Sequence, residues 1–114
     1  MTWKHTQEWL EQCSIMVQYA ATEANPNGLA MAAKWYINRF EQLGFSVQTI
    51  ENNDATYRPL IVAVRPPKNG CKTHVGFFHH YDVEPVRRIW DNDPWTLTER
   101  AQRAYGRGMA DNIG

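Results

Sequence analysis

Leu60-Ile61-Val62-Ala63-Val64 carries no polar side chain. An apolar run of strand length is what a central strand covered on both faces requires. Reading outward, Phe45-Ser46-Val47-Gln48-Thr49-Ile50 alternates apolar with polar, as a half-buried strand does. Downstream, Arg65-Pro66-Pro67-Lys68-Asn69-Gly70 cannot continue a ladder and must be a loop or hairpin turn. Thr73-His74-Val75-Gly76-Phe77-Phe78-His79 then predicts a third strand. Two helices precede these runs. From about Thr6 to Thr22, Trp9, Cys13, Met16, Val17 and Ala20 recur at helical spacing. Asn25-Pro26-Asn27-Gly28 interrupts with turn residues, and Leu29, Ala33, Tyr36, Phe40 and Leu43 form a second stripe. Gly44 follows where a left-handed cap is expected. Helix, helix, strand, strand, strand predicts an α/β fold, with N-terminal helices packed on a mixed β-sheet.

The totals narrow the function. A chain of 114 residues suits one domain or part of one. Twelve basic and twelve acidic residues cancel, so no field draws a phosphate backbone and no nucleic-acid partner is expected. No apolar run approaches the roughly 18 residues of a membrane span, so no membrane partner is expected either. The first residues show no basic stretch leading into an apolar one, as a secretory signal would, and a cytoplasmic setting is the expectation. Cys13 and Cys71 fit no CxxC pattern; the reading is two ordinary thiols, Cys13 on a helix face and Cys71 in a turn.

The ionisable chemistry lies after residue 77. Phe77-Phe78-His79-His80-Tyr81-Asp82-Val83-Glu84-Pro85 leaves an apolar run and ends in titratable groups. Residues two apart in a strand share a face, so His80 and Asp82 should point the same way. A metal-bound imidazole commonly donates its other N–H to such a carboxylate. Alone, H-x-D is a common tripeptide and decides nothing. A second cluster, Tyr105-Gly106-Arg107-Gly108-Met109-Ala110-Asp111-Asn112-Ile113-Gly114, has glycines that let the backbone bend and aim Asp111 at a cation. Alone, it reads sooner as a plain glycine turn with an Asx-type hydrogen bond from Asp111. Between them, Trp90-Asp91-Asn92-Asp93-Pro94-Trp95 lacks the spacing of a calcium loop, and its tryptophans are expected to pack the loop against the sheet.

Taken in order and spacing, His80-Tyr81-Asp82-Val83-Glu84-Pro85, Trp90, Asp93-Pro94-Trp95, Tyr105-Gly106-Arg107-Gly108 and Asp111 resemble the M20 family of metallopeptidases. This family comprises dipeptidases, aminoacylases, deacetylases and carboxypeptidases with a co-catalytic zinc site. The resemblance covers essentially the whole chain, and its H-x-D wording is nearest the dipeptidase and carnosinase-like branch. It implies that His80 binds one zinc, that Asp111 bridges two, and that Asp82 is the catalytic-site aspartate supporting the histidine. Two such metals activate a bridging water and polarise the scissile carbonyl. Cobalt or manganese would also suit histidine and carboxylate ligands. The family's peptide after the bridging aspartate is typically cis. At Asp111–Asn112, two residues from the end of the sequence, that geometry is expected to relax. There are departures: His79 stands where the family commonly has a small residue, facing away from His80, and Asn112-Ile113-Gly114 replaces a more usual polar pair before that glycine.

The resemblance therefore implies that residues 1–114 are the N-terminal part of an incomplete zinc-peptidase-like catalytic domain, without the dimerisation or lid domain. The family's Glu-Glu pair, its further carboxylate ligand and its distal histidine have no match here. Without the general base, the bridging water lacks a proton acceptor. The expected function is zinc-dependent hydrolysis of a peptide or N-acyl amide bond at the level of the whole enzyme, with this stretch inactive alone and a homodimer allowed. The competing expectation is a non-catalytic binding or assembly module that pairs through an exposed sheet edge. A standalone domain with no metal role fits the motif order poorly.

Overall fold

The computed structural model describes residues 6–52 and 58–114, so the expectation about the first five residues lies outside the described ones. The chain opens with α1 (Thr6–Gln18) and α2 (Pro26–Gln42). Leu10, Cys13, Met16 and Val17 turn inward from α1, and Leu29, Ala32 and Ala33 from α2. Trp9, expected in the inner stripe, is instead 46% exposed, and Leu10 takes the inner place.

The first helix ends four residues before the expected Thr22, and Asn25 supplies the reason. Its Nδ2 donates to the carbonyls of Tyr19 and Ala20, at 3.2 and 3.1 Å, while Ala20 turns through φ +48°. The same side chain accepts from the Gly28 N–H at 3.1 Å and caps α2, with Pro26 in the first turn, where its missing N–H costs nothing. Gly28 must be glycine, because a Cβ there would strike the backbone oxygens of Tyr19 and Ala20. At the far end, Gly44 sits at φ +80°, as expected. Its N–H donates to Glu41 and that of Phe45 to Phe40, and the rings of Phe40 and Phe45 lie 5.4 Å apart. This is a Schellman cap with its apolar clasp.

The sheet differs from expectation. β1 (Ser46–Ile50) and β2 (Leu60–Val64) form an antiparallel pair with Ser46 opposite Val64 and Ile50 opposite Leu60. This pair packs on α2 by one face only, so Leu60 and Val64 are exposed rather than covered on both sides. The expected third strand, residues 73–79, joins no ladder, and Val75, Phe77 and Phe78 are 74, 90 and 95% exposed. An apolar run becomes a strand only where a partner takes up its backbone groups, and no described residue does so here. A second antiparallel pair, β3 (Thr98–Arg100) and β4 (Arg103–Tyr105), turns through Ala101 and Gln102, both at positive φ. Helices with small antiparallel sheets make the chain mixed α/β, with two separate hairpins in place of one mixed sheet. No helix among the described residues is long and apolar enough to cross a membrane.

The core joins Met16, Ala21, Leu29 and Ala32, with Tyr19, Trp35, Tyr36, Tyr81 and Ile113 packed around it. Tyr81 and Ile113 are immediate neighbours of the residues singled out from the sequence. The core thus forms the floor on which the two motifs rest.

Candidate metal centre

Three consecutive residues fix the H-x-D segment without a ladder. The Tyr81 hydroxyl donates to the Pro59 carbonyl at 3.0 Å, Arg58 donates to Asp82 Oδ2 at 3.0 Å, and the Val83 N–H donates to the Ala21 carbonyl at 2.8 Å. The His79 ring lies 5.5 Å from that of Tyr36, and the strand alternation expected to turn it from His80 is absent from this segment.

The second motif is a wide turn over Met109–Ile113, with Asp111 and Asn112 at extended rather than helical φ, closed by the Ile113 N–H on the Gly108 carbonyl at 2.9 Å. Gly108 enters it at φ +89°, and a Cβ there would lie 2.6 Å from both Val83 Cγ1 and Ile113 Cδ1. Gly106 lies against Val17, where a Cβ would sit 3.1 Å from both Val17 methyl groups. Glycine is needed so that this turn can approach the core and the H-x-D segment together. The Asp111–Asn112 peptide is cis, so the expected relaxation is not seen.

These elements bring together residues 31 positions apart: His80 Nε2 lies 3.2 Å from Asp111 Oδ1. On the other side of the ring, Nδ1 lies 2.8 Å from the backbone oxygen of Asp82 and 3.3 Å from its carboxylate Oδ1. The Nδ1–H therefore donates to Asp82, and Nε2 faces Asp111. The hydrogen bond to the Asp82 backbone, then that to Asp111, raise the His80 pKa above its ordinary value, while partial burial works against them. Asp82 points the same way as His80, as expected, but its nearest acceptor to the ring is the main-chain oxygen.

The donor chemistry fits a divalent metal. Zinc holds imidazole nitrogen and carboxylate oxygen at roughly 2.0–2.2 Å, so two donors on one tetrahedral ion sit about 3.3 Å apart. His80 and Asp111 are at that separation with the ring's other nitrogen already engaged. They fit as two ligands and no more: among the described residues, no cluster of three or more His, Cys, Asp or Glu side chains could hold a metal.

Sequence reasoning missed Arg58, the cation on Asp82, because a lone arginine outside any motif gives no signal. It also missed Arg107, whose guanidinium lies 5.1 Å over the Trp90 ring and donates to the Pro85 carbonyl at 3.2 Å, tying the two motifs together. Trp90 thus packs under Arg107, a partner other than the sheet against which the tryptophans are expected to pack their loop. Asp93 closes a local turn, accepting from the Trp95 N–H and the Thr96 hydroxyl.

The chain is 39% identical over 88 residues to a cysteinylglycine-S-conjugate dipeptidase of Corynebacterium striatum, a match covering 73% of this chain and 18% of that protein. It is 36% identical over 89 residues to a succinyl-diaminopimelate desuccinylase of Legionella pneumophila, covering 71% and 20%. It is 32% identical over 78 residues to a Beta-Ala-His dipeptidase of Rattus norvegicus, covering 67% and 16%. The chain belongs to the M20 family. It spans no more than about a fifth of the length of these M20 relatives. No family model matches the chain, and no solved structure matches it.

Proposed function

We propose that these residues form part of a metal-dependent M20 hydrolase that cleaves a peptide or N-acyl amide bond. In this reading His80 and Asp111 are metal ligands, with Asp111 the bridging one, and Asp82 holds the histidine ring. The observation that carries it is the 3.2 Å approach of His80 Nε2 to Asp111 Oδ1, with Nδ1 already committed to Asp82. The relatives' names, two dipeptidases and a desuccinylase, support a peptide or N-acyl amino acid as the substrate class. Zinc is the metal the family resemblance implies, and when bound it would supply Lewis acidity toward the scissile carbonyl. The chain's own residues then do three things. The Asp82 backbone oxygen keeps a proton on Nδ1, so Nε2, which donates to Asp111 in the metal-free chain, is the nitrogen that would give up its proton to meet a metal. Asp111 brings negative charge to the same point, and Arg107 holds the two motifs in register.

Two ligands do not hold a catalytic metal, which needs about three from protein. The described residues offer no general base in contact with the pair, so the 114-residue chain alone is read as inactive. The test is a chimera in which residues 6–114 replace the matching segment of the Corynebacterium striatum dipeptidase. It should hydrolyse dipeptides, and His80→Ala or Asp111→Ala should each lower turnover by about a hundredfold or more, as loss of a metal ligand does. A folded chimera with no hydrolysis, or with hydrolysis indifferent to both substitutions, contradicts the reading. The isolated chain should show no turnover with zinc present.

A second reading, a binding module that pairs through a sheet edge, draws support from the exposed and unladdered Val75, Phe77 and Phe78. A defined oligomer at micromolar concentration, dispersed by Phe77→Ser, would favour it.

A further inference from the structure

We propose that Arg58 is a positioning residue for the metal pair, holding the Asp82 side chain so that its carboxylate, beside its main-chain oxygen, accepts from the His80 ring. The inference rests on the metal-site reading above. An H-x-D segment in a ladder would have its carboxylate aimed by the strand; here residues 73–87 belong to no ladder, so the aim must come from elsewhere. Arg58 supplies it. Its guanidinium binds Asp82 Oδ2 at 3.0 Å, which leaves Oδ1 directed to His80 Nδ1 at 3.3 Å and the Asp82 main-chain oxygen at 2.8 Å.

The guanidinium is itself held. Its side chain is two-thirds buried, its Nε is enclosed with no hydrogen-bond partner among the described residues, and Glu23 lies 3.7 Å from its other nitrogen. One guanidinium nitrogen bonds Asp82, and the confinement of the planar group gives that bond a direction as well as a distance, which a flexible ammonium does not. Pro59, the next residue, takes the Tyr81 hydroxyl, so two successive residues just before β2 grip two successive residues of the H-x-D segment. Arg58 touches neither metal ligand, and its effect on His80 passes wholly through Asp82.

The experiment titrates zinc into the chimera carrying residues 6–114, which supplies the ligands this stretch lacks, against a chromophoric chelator, and follows the His80 ring nitrogens of the metal-free 114-residue chain by NMR. Arg58→Met should weaken zinc about tenfold, the lower end for a partner that orients a ligand, and shift the His80 ring signals. Arg58→Lys keeps the charge but loses the fork, and should fall between, about threefold weaker than the parent. Glu23→Gln removes the outer ion pair without touching Asp82, and should stay within about twofold of the parent. If Arg58→Met does not fold, Arg58→Lys carries the test alone. Parental zinc affinity with unmoved His80 signals in the Arg58 variants overturns the proposal, as does a loss in Glu23→Gln equal to that in Arg58→Met. His80→Ala separates the two readings. If it leaves zinc binding intact, the metal site itself is wrong; if it abolishes binding while Arg58 substitutions do nothing, only the role of Arg58 is wrong.

Discussion

His80 Nδ1 lies closer to the main-chain oxygen of Asp82, at 2.8 Å, than to that residue's own carboxylate, at 3.3 Å. The ring is therefore oriented first by a group that no side-chain substitution removes. Asp82→Asn should keep the proton on Nδ1 and weaken zinc by about tenfold, no less than Arg58→Met, which acts only through this carboxylate. His80→Ala should abolish specific binding. Ring-nitrogen chemical shifts together with a zinc titration check both; an Nε2–H tautomer in Asp82→Asn would show that the carboxylate is the orienting group.

Gly108→Ala should be costly for two independent reasons. The residue sits at φ +89°, and its new methyl group would lie 2.6 Å from Val83 Cγ1 and Ile113 Cδ1. A left-handed non-glycine residue and a forced repacking together amount to about 2–4 kcal/mol. For a domain stabilised by roughly 5–15 kcal/mol, that is a large share. Urea unfolding monitored by tryptophan fluorescence should show the midpoint drop, whereas Gly70→Ala should cost less because a Cβ there meets nothing within 4 Å.

The helices and the site were legible to different degrees, for physical reasons. Leu43-Gly44 marks the stop of α2 through local hydrogen bonding and is legible in the sequence, whereas Pro26-Asn27-Gly28, expected in the turn, form its first turn under the Asn25 cap. The end of α1 was not legible, because it depends on Asn25 reaching back to Tyr19 and Ala20. Residues 73–79 have the composition of a buried strand but lack a ladder, and pairing is a property of the neighbours rather than of the run. The β3–β4 hairpin went unread because Ala101-Gln102 occupies the positive-φ turn positions where Asn-Gly would give the signal. His80 and Asp111 were legible as types in a pattern. Their meeting depends on Gly106 and Gly108, and the hold on Asp82 depends on Arg58, which lies in no motif.

The Thr96 hydroxyl, at 2.7 Å, and then the Trp95 N–H lower the pKa of Asp93 below its ordinary value. A carboxylate with a depressed folded-state pKa adds stability above its unfolded pKa, near 4, and loses it as pH falls through the folded value. The Asp93 turn should therefore loosen only below about pH 4. Thr96→Val should move the Asp93 titration upward in a carboxyl NMR experiment; an unmoved titration would mean the hydroxyl bond is not formed in solution.

The two thiols should separate cleanly. Cys13 is 3% exposed and burial pushes its thiol pKa up, whereas Cys71 is exposed at a turn closed by its own N–H on Lys68. Only thiolate attacks an alkylating reagent, so iodoacetamide at pH 8 should modify Cys71 and spare Cys13 until denaturant is added. Mass spectrometry of tryptic peptides reads the order, and early labelling of Cys13 would mean that the helix core opens readily.

The most direct test is a zinc titration of the 114-residue chain followed at the imidazole nitrogens of each histidine. If His80 and Asp111 are a metal pair, His80 Nε2 should shift first, ahead of His74 and His79, and Asp111→Ala should abolish that preference. A His80 ring that does not respond, or one that responds equally in Asp111→Ala, would contradict the account.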